Sequence, residues 1–456
     1  MHHRLFSHRS LVALALPSIV SFAVATGCGG GDDDNGGTGG TGGSAGRGGA
    51  AGKAGASGNG GGAAKAGNAG RGGTSSNPTG GAAGEAGNGG RGASAGRGGT
   101  SSGTGGNAGQ AGGGEGGEAG VSPNGGEAGV AQLELELVRT DLTSDQTGAA
   151  VVDTNLVNAW GLAVNPADSG ARFWVSAGDA GLLTVYDASG AIEPVVVTVP
   201  SANGTDTGSP TGQVFNPNAD DFMGDTFIVA TEDGLIAGWQ TGTDATVRAD
   251  RSSSAGYKGL ALVTNGANHW LAAANFHEGQ VDVFDNTYTR VTTAGLFEDP
   301  NIPAGFAPFN VAELGGSVWV TYAKQDADKA DDVPGVGNGF VSVFNVDGSF
   351  KQRFSSRGSL NSPWGLAVVP NTFGALNGAI LVGNFGDGMI HAFQPNTGEE
   401  IGFVTDRSNH PLVIDGLWAL LVGPNTAADG DLRSTVFFTA GPGGETHGVF
   451  GTLTLP

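Results

Sequence analysis

Residues 363–393 read PWGLAVVPNTFGALNGAILVGNFGDGMIHAF, and the opening phrase of this stretch returns along the chain. Aligned on the glycine of its WGLA, the copies are NAWGLAV at Gly161, SPTGQVF at Gly212, YKGLALV at Gly259, APFNVAEL at Asn310, SPWGLAV at Gly365 and GLWALLV at Ala419. The steps between them are 51, 47, 51, 55 and 54 residues. Each copy is followed by a second apolar run, such as RFWVSAG, TFIVATE or AILVGN, and then by a short turn and a third run. In five copies the third run closes on an aromatic: Tyr186, Trp239, Phe284, Phe344 and Phe393. Short runs rich in Val, Ile, Phe and Gly, with no sustained helical period, read as strands. Four strands in each of six repeats predict an all-β fold, a six-bladed β-propeller, whose radial repetition leaves few open sheet edges. The five aromatics are expected in its core.

The sixth repeat ends at THGVFGTLTLP without an outer strand, while LELELVRT at 133–140 alternates like a strand and belongs to no repeat. Residues 133–140 are therefore expected to close the ring by completing the last blade beside residues 446–455.

The chain before the repeats has another character. Arg4 and Arg9 precede the apolar stretch LVALALPSIVSFAV, too short to span a bilayer and laid out like an export signal. It runs into ATGC, which resembles a bacterial lipobox with Cys28 as the lipidated residue and Ala25 where Leu is usual. Residues 1–28 are thus expected to be a lipoprotein signal peptide. Cys28 is the one cysteine, so the propeller has no disulfide to draw on. Residues 29–130 are built almost wholly from Gly, Ala, Ser, Thr and Asn and show no apolar periodicity. Such a segment buries too little surface to offset its ordering entropy and is expected to be a disordered tether. Residues 131–456 form the propeller domain.

Charge is as unevenly placed. Residues 131–456 carry 13 Lys/Arg against 36 Asp/Glu, a net of −23. Such a domain repels phosphate backbones and anionic headgroups, which argues against nucleic acid as a partner and leaves the lipid anchor as the contact with a membrane.

In a propeller the loop leading into the innermost strand and the turn joining the second strand to the third share one face. The polar phrases fall there: NAWG, APFN, SPWG and DGLW before the first strands, TEDG, NFHEG and NFGDG at the turns. Asp233-Gly234 and Asp387-Gly388 suit hairpins that need a positive φ. Asn275 and Asn384 stand at matching ends of second strands, with Asn158, Asn310 and Asp415 near the starts of first strands. Their oxygens either cap turns and bond blade backbones or converge on Ca²⁺, which takes oxygen ligands. His277 reads as a loop histidine or a base. Trp160, Phe309, Trp364 and Trp418, one per blade in four blades, either pack between blades or stack a flat ligand such as a sugar. The run DADKADD, 326–332, reads as a solvated insertion in blade four. No lipase, zinc-protease, P-loop or paired-cysteine metal motif is present.

PWGLAVVP and AILVGNFGDGMIHAFQPNTG are similar to the NHL repeat. The phrases LVNAWGLAV, AANFHEGQVDVFD, PAGFAPFNV and IDGLWALLVG give the folded part a resemblance to a family of secreted bacterial NHL-like propellers, which brings no activity with it. More distantly it resembles the calcium-dependent phosphotriesterase and gluconolactonase propellers. That resemblance implies a channel Ca²⁺ held by Glu, Asn and Asp, with Asn275, Asn384 and Asp415 in matching places and no counterpart for the glutamate. Two functions are compatible with this reading. One is an exported, lipid-anchored binding or scaffold module of the cell envelope that takes a small molecule, glycan or envelope protein. The other is a calcium-dependent hydrolase of lactones or phosphoesters acting at the channel mouth.

Overall fold

The structure, a computed structural model, describes residues 135–371 and 373–456. The expected signal peptide with Cys28 and the tether 29–130 lie outside the described residues.

Six blade sheets, antiparallel apart from short parallel additions at the outer edges of two of them, follow one another along the described residues, beside a two-stranded ladder of Asn425–Thr426 with Gly430–Asp431. Blade 1 runs outward from the axis through Ala159–Val164, Arg172–Ala177, Leu182–Asp187 and Ile192–Thr198. The innermost strands of blades 2 to 6 are Pro210–Phe215, Tyr257–Asn265, Phe306–Leu314, Pro363–Val368 and Leu417–Val422. Each touches the innermost strand of the next blade, and the sixth touches the first, so the ring is closed. We call the face on which these strands begin the upper face and the opposite one the lower face.

The refrain glycine is explained by this closeness. A Cβ on Gly161 would lie 2.2 Å from the carbonyl oxygen of Thr211, and one on Gly212 would lie 2.4 Å from the amide nitrogen of Leu260. Neighbouring inner strands therefore meet backbone to backbone, and a side chain there would wedge the blades apart. The pairing of first and second strands slips at one place in all six blades, where the residue just before the aligned glycine falls within the irregularity. A bulge re-aims a side chain. Here it affects Trp160, Thr211, Lys258, Phe309, Trp364 and Trp418.

Closure uses the N-terminal strand, with a shifted register. Val138–Ser144 pairs antiparallel with Val449–Thr454, from Val138 opposite Thr454 to Ser144 opposite Val449. Residues 135 and 136 do not join this ladder. They run parallel to the outer strand of blade 5, Leu135 beside Val404 and Glu136 beside Thr405. The expected single strand 133–140 is thus divided between two blades. Leu135 and Leu137 bury in the cluster shared by blades 5 and 6. Alternating leucines select a buried face and do not name the partner that covers it.

Second strands such as Phe227–Thr231 and Ile380–Asn384 are buried along their length, because blades cover both of their faces. Outer strands such as Thr246–Asp250 are largely exposed. Aromatics bridge the seams: Trp174 of blade 1 stacks on Phe227 of blade 2 at 4.1 Å, and Phe173 on Phe437 of blade 6 at 4.0 Å. Tyr186, Phe284, Phe344 and Phe393 are buried as expected. Trp239 is the exception. It is half-buried at the edge of its cluster, where its indole N–H donates to the Gly242 carbonyl at 3.1 Å, a bond a deeper ring could not make.

Acidic residues are also buried in the seams, paired with arginines of outer strands: Asp225 with Arg248, Asp282 with Arg290, Asp299 with Arg353. Burial pushes the Asp299 carboxyl up, but Arg353, Ser342 and the Asn301 N–H hold it below its ordinary 3.8. A carboxyl depressed in the folded state stabilises the fold above its unfolded pKa, and that stability is lost as pH falls through the folded value. Arg353→Met is expected to cost about 3 kcal/mol at neutral pH, because it strands a buried charge. The deficit should shrink as Asp299 is protonated in acid, which urea unfolding of both proteins at neutral pH and at about pH 3 will show.

Candidate functional site

The upper mouth of the channel is filled by aromatic rings. Trp160 stacks on Trp418 at 3.7 Å, Phe385 stacks on Trp418 from the other direction at 3.9 Å, and Phe309 and Trp364 each lie 5.8 Å from Trp418. Trp160, Phe309, Trp364 and Trp418 are at most 5% exposed. They pack against one another at the axis, ring on ring between neighbouring blades, which agrees with the packing alternative, and their burial leaves no bare face for a ligand. Trp418 Nε1 donates to Asn158 Oδ1 at 2.9 Å, and Trp364 Nε1 to the Lys258 carbonyl at 3.0 Å.

Lys258 occupies in blade 3 the bulged position that is aromatic in four other blades. Its ammonium lies 5.4 Å from the Trp160 ring centroid and the residue is 5% exposed. A buried ammonium needs partners. Glu232, from the second-to-third turn of blade 2, pairs with it directly, and Asp331 of the blade 4 insertion lies 3.5 Å away. Burial pulls the Lys258 pKa down, but Glu232, Asp331 and Glu445 of blade 6 more than offset this and hold it above its ordinary value. Lys258 is therefore charged at neutral pH.

More acid surrounds it than one cation can balance. Asn158 of blade 1 has a left-handed backbone, φ 51°, which asparagine tolerates, and its Nδ2 donates to Glu445 at 3.2 Å and Asp179 at 3.4 Å. Desolvation raises the Asp179 pKa; the Asn158 bond opposes this and the charge of Glu232 adds to it. Asp332 shifts in the same direction, raised by burial against the lowering effects of Ser362 and Lys258. Asp332 Oδ2, Ser362 Oγ and Trp160 Nε1 are all sealed from solvent without a hydrogen-bond partner of good geometry. Four blades thus supply a ring of carboxyl groups around one lysine, with unused donors and acceptors in its wall.

The sequence-derived candidates reach this face but serve it differently. Asn310 Nδ2 donates to the Trp364 carbonyl at 2.9 Å and ties blade 4 to blade 5. Asn275 bonds within its own blade: Nδ2 donates to Glu278 and Asp282, and Oδ1 accepts the Glu278 and Gly256 N–H groups. Asn384 Oδ1 accepts the Asn361 N–H, and its Nδ2 donates to the Ser359 carbonyl. Exposed Asp415 accepts the Gly443 N–H at 2.9 Å. Oδ1 of Asn275, Oδ1 of Asn384 and Oδ2 of Asp415 are engaged by backbone amides of their own blades. Among the described residues no group of three His, Cys, Asp or Glu is placed to hold a metal. The calcium set implied by resemblance does not fit these residues. His277 is exposed, and no carboxylate bond orients it among the described residues. Gly234 and Gly388 take the positive φ expected of them, 82° and 72°.

Lys258, Glu232, Asp179 and Glu445 escaped the sequence reading, and Asp331 and Asp332 entered it as part of a solvated insertion. Lys258 did carry a signal, a charged residue in YKGLALV where parallel copies have Trp or Phe before the aligned position.

Below the rings the channel is a cavity of about 580 Å³, running from Trp364 toward the lower face at Phe215, Pro217 and Leu314.

No family model matches the chain. It is 31% identical over 331 residues to uncharacterized protein R648 of Acanthamoeba polyphaga mimivirus, an alignment covering 68% of this chain and 78% of the relative. It is also 31% identical over 326 residues to uncharacterized protein L690 of the same virus, covering 67% and 82%. The chain belongs to the family of these mimivirus proteins. These relatives are viral, so the bacterial setting in the sequence reading finds no support in them. Among solved structures, a glucose dehydrogenase is similar at a TM-score of 0.45 and 11% identity, covering 70% of this chain and all of that one. A virginiamycin B lyase from Staphylococcus aureus is similar at 0.37 and 11%, covering 64% and 80%.

Proposed function

We propose that this protein is an exported, lipid-anchored binding module, an NHL-like propeller that presents the acidic mouth around Lys258 to a polyhydroxylated ligand such as a glycan. The observation that carries the reading is the buried Lys258 ammonium, set on Trp160 and met by carboxyl groups of blades 2, 4 and 6. An excess of carboxylate disfavours anionic ligands, and one fixed donor among many acceptors suits neutral hydroxyl-bearing ones. The N-terminal pattern ending at Cys28 supports export and anchorage, and the Gly-rich 29–130 would hold the propeller away from a surface.

The test is an array of neutral, amino and acidic glycans probed with the full chain and with Lys258→Met, folding being checked by thermal unfolding. Neutral or amino glycans should bind, and Lys258→Met should weaken them roughly tenfold to a hundredfold, the range for a lost charged hydrogen bond. Absence of any glycan bound by the unaltered chain, or hits that Lys258→Met leaves unchanged, would sink the reading.

A second reading, hydrolysis of lactones or phosphoesters, draws on the raised carboxyls of Asp179 and Asp332 at the same mouth, since a carboxyl titrating nearer neutrality serves as an acid or base. Turnover on ester, lactone and phosphotriester panels that disappears in Asp332→Asn would favour it over binding alone.

A further inference from the structure

The outer wall of blade 3 is incomplete. Its third strand is Gln280–Phe284, but its fourth is only Arg290–Val291, which pairs with Val283 and Phe284 and leaves Gln280, Val281 and Asp282 uncovered. In the other five blades the outer partner reaches the upper end of the third strand or stops one residue short of it. We propose that this gap is a peptide-binding site, where an extended segment of a partner protein, carrying an aliphatic residue beside a basic one, adds the missing strand.

The backbone selects an extended peptide. Outward bonding alternates along a strand, and Val283 pairs outward with Val291 while the Asp285 N–H donates to the Thr289 carbonyl at 2.9 Å. The N–H and C=O of Val281 therefore point the same way, and no strand or loop among the described residues bonds them there. Beyond Val291 the chain does not continue up this edge. It crosses to blade 4, where the Phe297 N–H donates to the Gly348 carbonyl at 2.8 Å, and a groove of about 440 Å³ lies between the two walls. A strand laid in it meets a donor and an acceptor at fixed spacing, the mode by which a peptide adds to a sheet edge. The ring already extends two blades with an added segment: Val138–Ser144 completes blade 6, and Leu135–Glu136 adds to the outer strand of blade 5.

Side chains decide which peptide. Half-buried Val281, Val291, Leu296 and Ile302 line the groove and pack against the cluster of blades 3 and 4, so they accept an aliphatic side chain. Of the carboxylates in the wall, Glu278, Asp282 and Asp299 are matched by Arg251, Arg290 and Arg353. Glu298 is exposed and makes no ion pair among the described residues. The unbalanced charge of the groove is negative, and the complementary peptide is basic.

Fluorescence anisotropy of the full chain tests this with three labelled probes: Lys-Val-Thr-Val-Lys, Glu-Val-Thr-Val-Glu, and the lysine peptide N-methylated at every backbone amide, which removes its donors. The lysine peptide should bind about fivefold more tightly than the glutamate peptide, the size of an exposed charge contact, and N-methylation should weaken it about tenfold or more. Glu298→Lys, at an exposed position, should reverse the charge preference. Val281→Pro removes the outward N–H without taking a ladder bond from the second strand, and should abolish binding while thermal unfolding stays cooperative. If that variant does not fold, Glu298→Lys decides. No binding of the lysine peptide, equal binding of its N-methylated form, binding that survives a folded Val281→Pro, or a preference that Glu298→Lys leaves intact would each overturn the proposal. The mouth variant Lys258→Met should leave peptide binding unchanged, so failure here and failure of the glycan reading are read separately.

Discussion

Removing residues 135–144 from the full chain is expected to cost about 5 kcal/mol or more, a large part of what holds a domain folded. Leu135 and Leu137 are at most 2% exposed, and burial of each contributes about 2 kcal/mol. The ladder from Val138 to Ser144 covers Val449–Thr454, so deletion also bares an edge of the last blade and leaves Phe450 and Leu453 without their outer neighbour. Val138–Ser144 and the segment beside Leu135 engage different blades, so the loss reaches blade 5 as well as blade 6. Urea unfolding followed by circular dichroism should show a lower midpoint and a broadened transition. A synthetic peptide of residues 133–146 added in trans should restore much of the loss. A deletion that shifts stability by less than about 1 kcal/mol would show that the ring does not depend on this closure.

The second large effect is expected at the inner seams. Gly161→Val and Gly212→Val each place a branched side chain where a bare Cβ would already stand 2.2 or 2.4 Å from the next blade's backbone. Neither neighbour is a flexible side-chain end, so the inner strands must separate, at a cost of about 3 kcal/mol or more. Gly170→Ala is the matched control. Its Cβ would meet nothing nearer than 3.5 Å, and the change should stay within about 0.5 kcal/mol. Equal stability of the seam and control variants would contradict the account of the refrain glycine.

How much the sequence disclosed follows from which physical signals are local. The repeat spacing and the glycine of WGLA come from close approach of identical strands, a constraint repeated around the ring and therefore visible. The missing outer strand of blade 6 was equally legible, but the register of its replacement was not. Residues 135–137 alternate as a strand should, and only the assembled seam of blades 5 and 6 decides that Leu135 and Leu137 pack there. The mouth was less legible still. Glu232, Lys258, Asp331 and Glu445 lie far apart in sequence and meet because a bulge re-aims Lys258 while the second-to-third connections of blades 2, 4 and 6 carry the acids to the same face. Asparagines at strand ends offered the right atoms for a metal, yet backbone N–H groups take up those atoms at 3.1 Å, from the following turn in Asn275 and from the loop before the first strand in Asn384. The insertion 326–332 looked solvated because its charges have no local partner. Asp331 finds one in blade 3.

The most direct test of the mouth as the ligand site is hydrogen exchange of the full chain with and without the best glycan from the array. Protection is expected in the amides around residues 232–234, 258 and 326–332, with the lower-face turns unchanged. Protection confined to the lower face or to the outer strands, with the mouth amides exchanging as before, would place the ligand elsewhere and contradict the account.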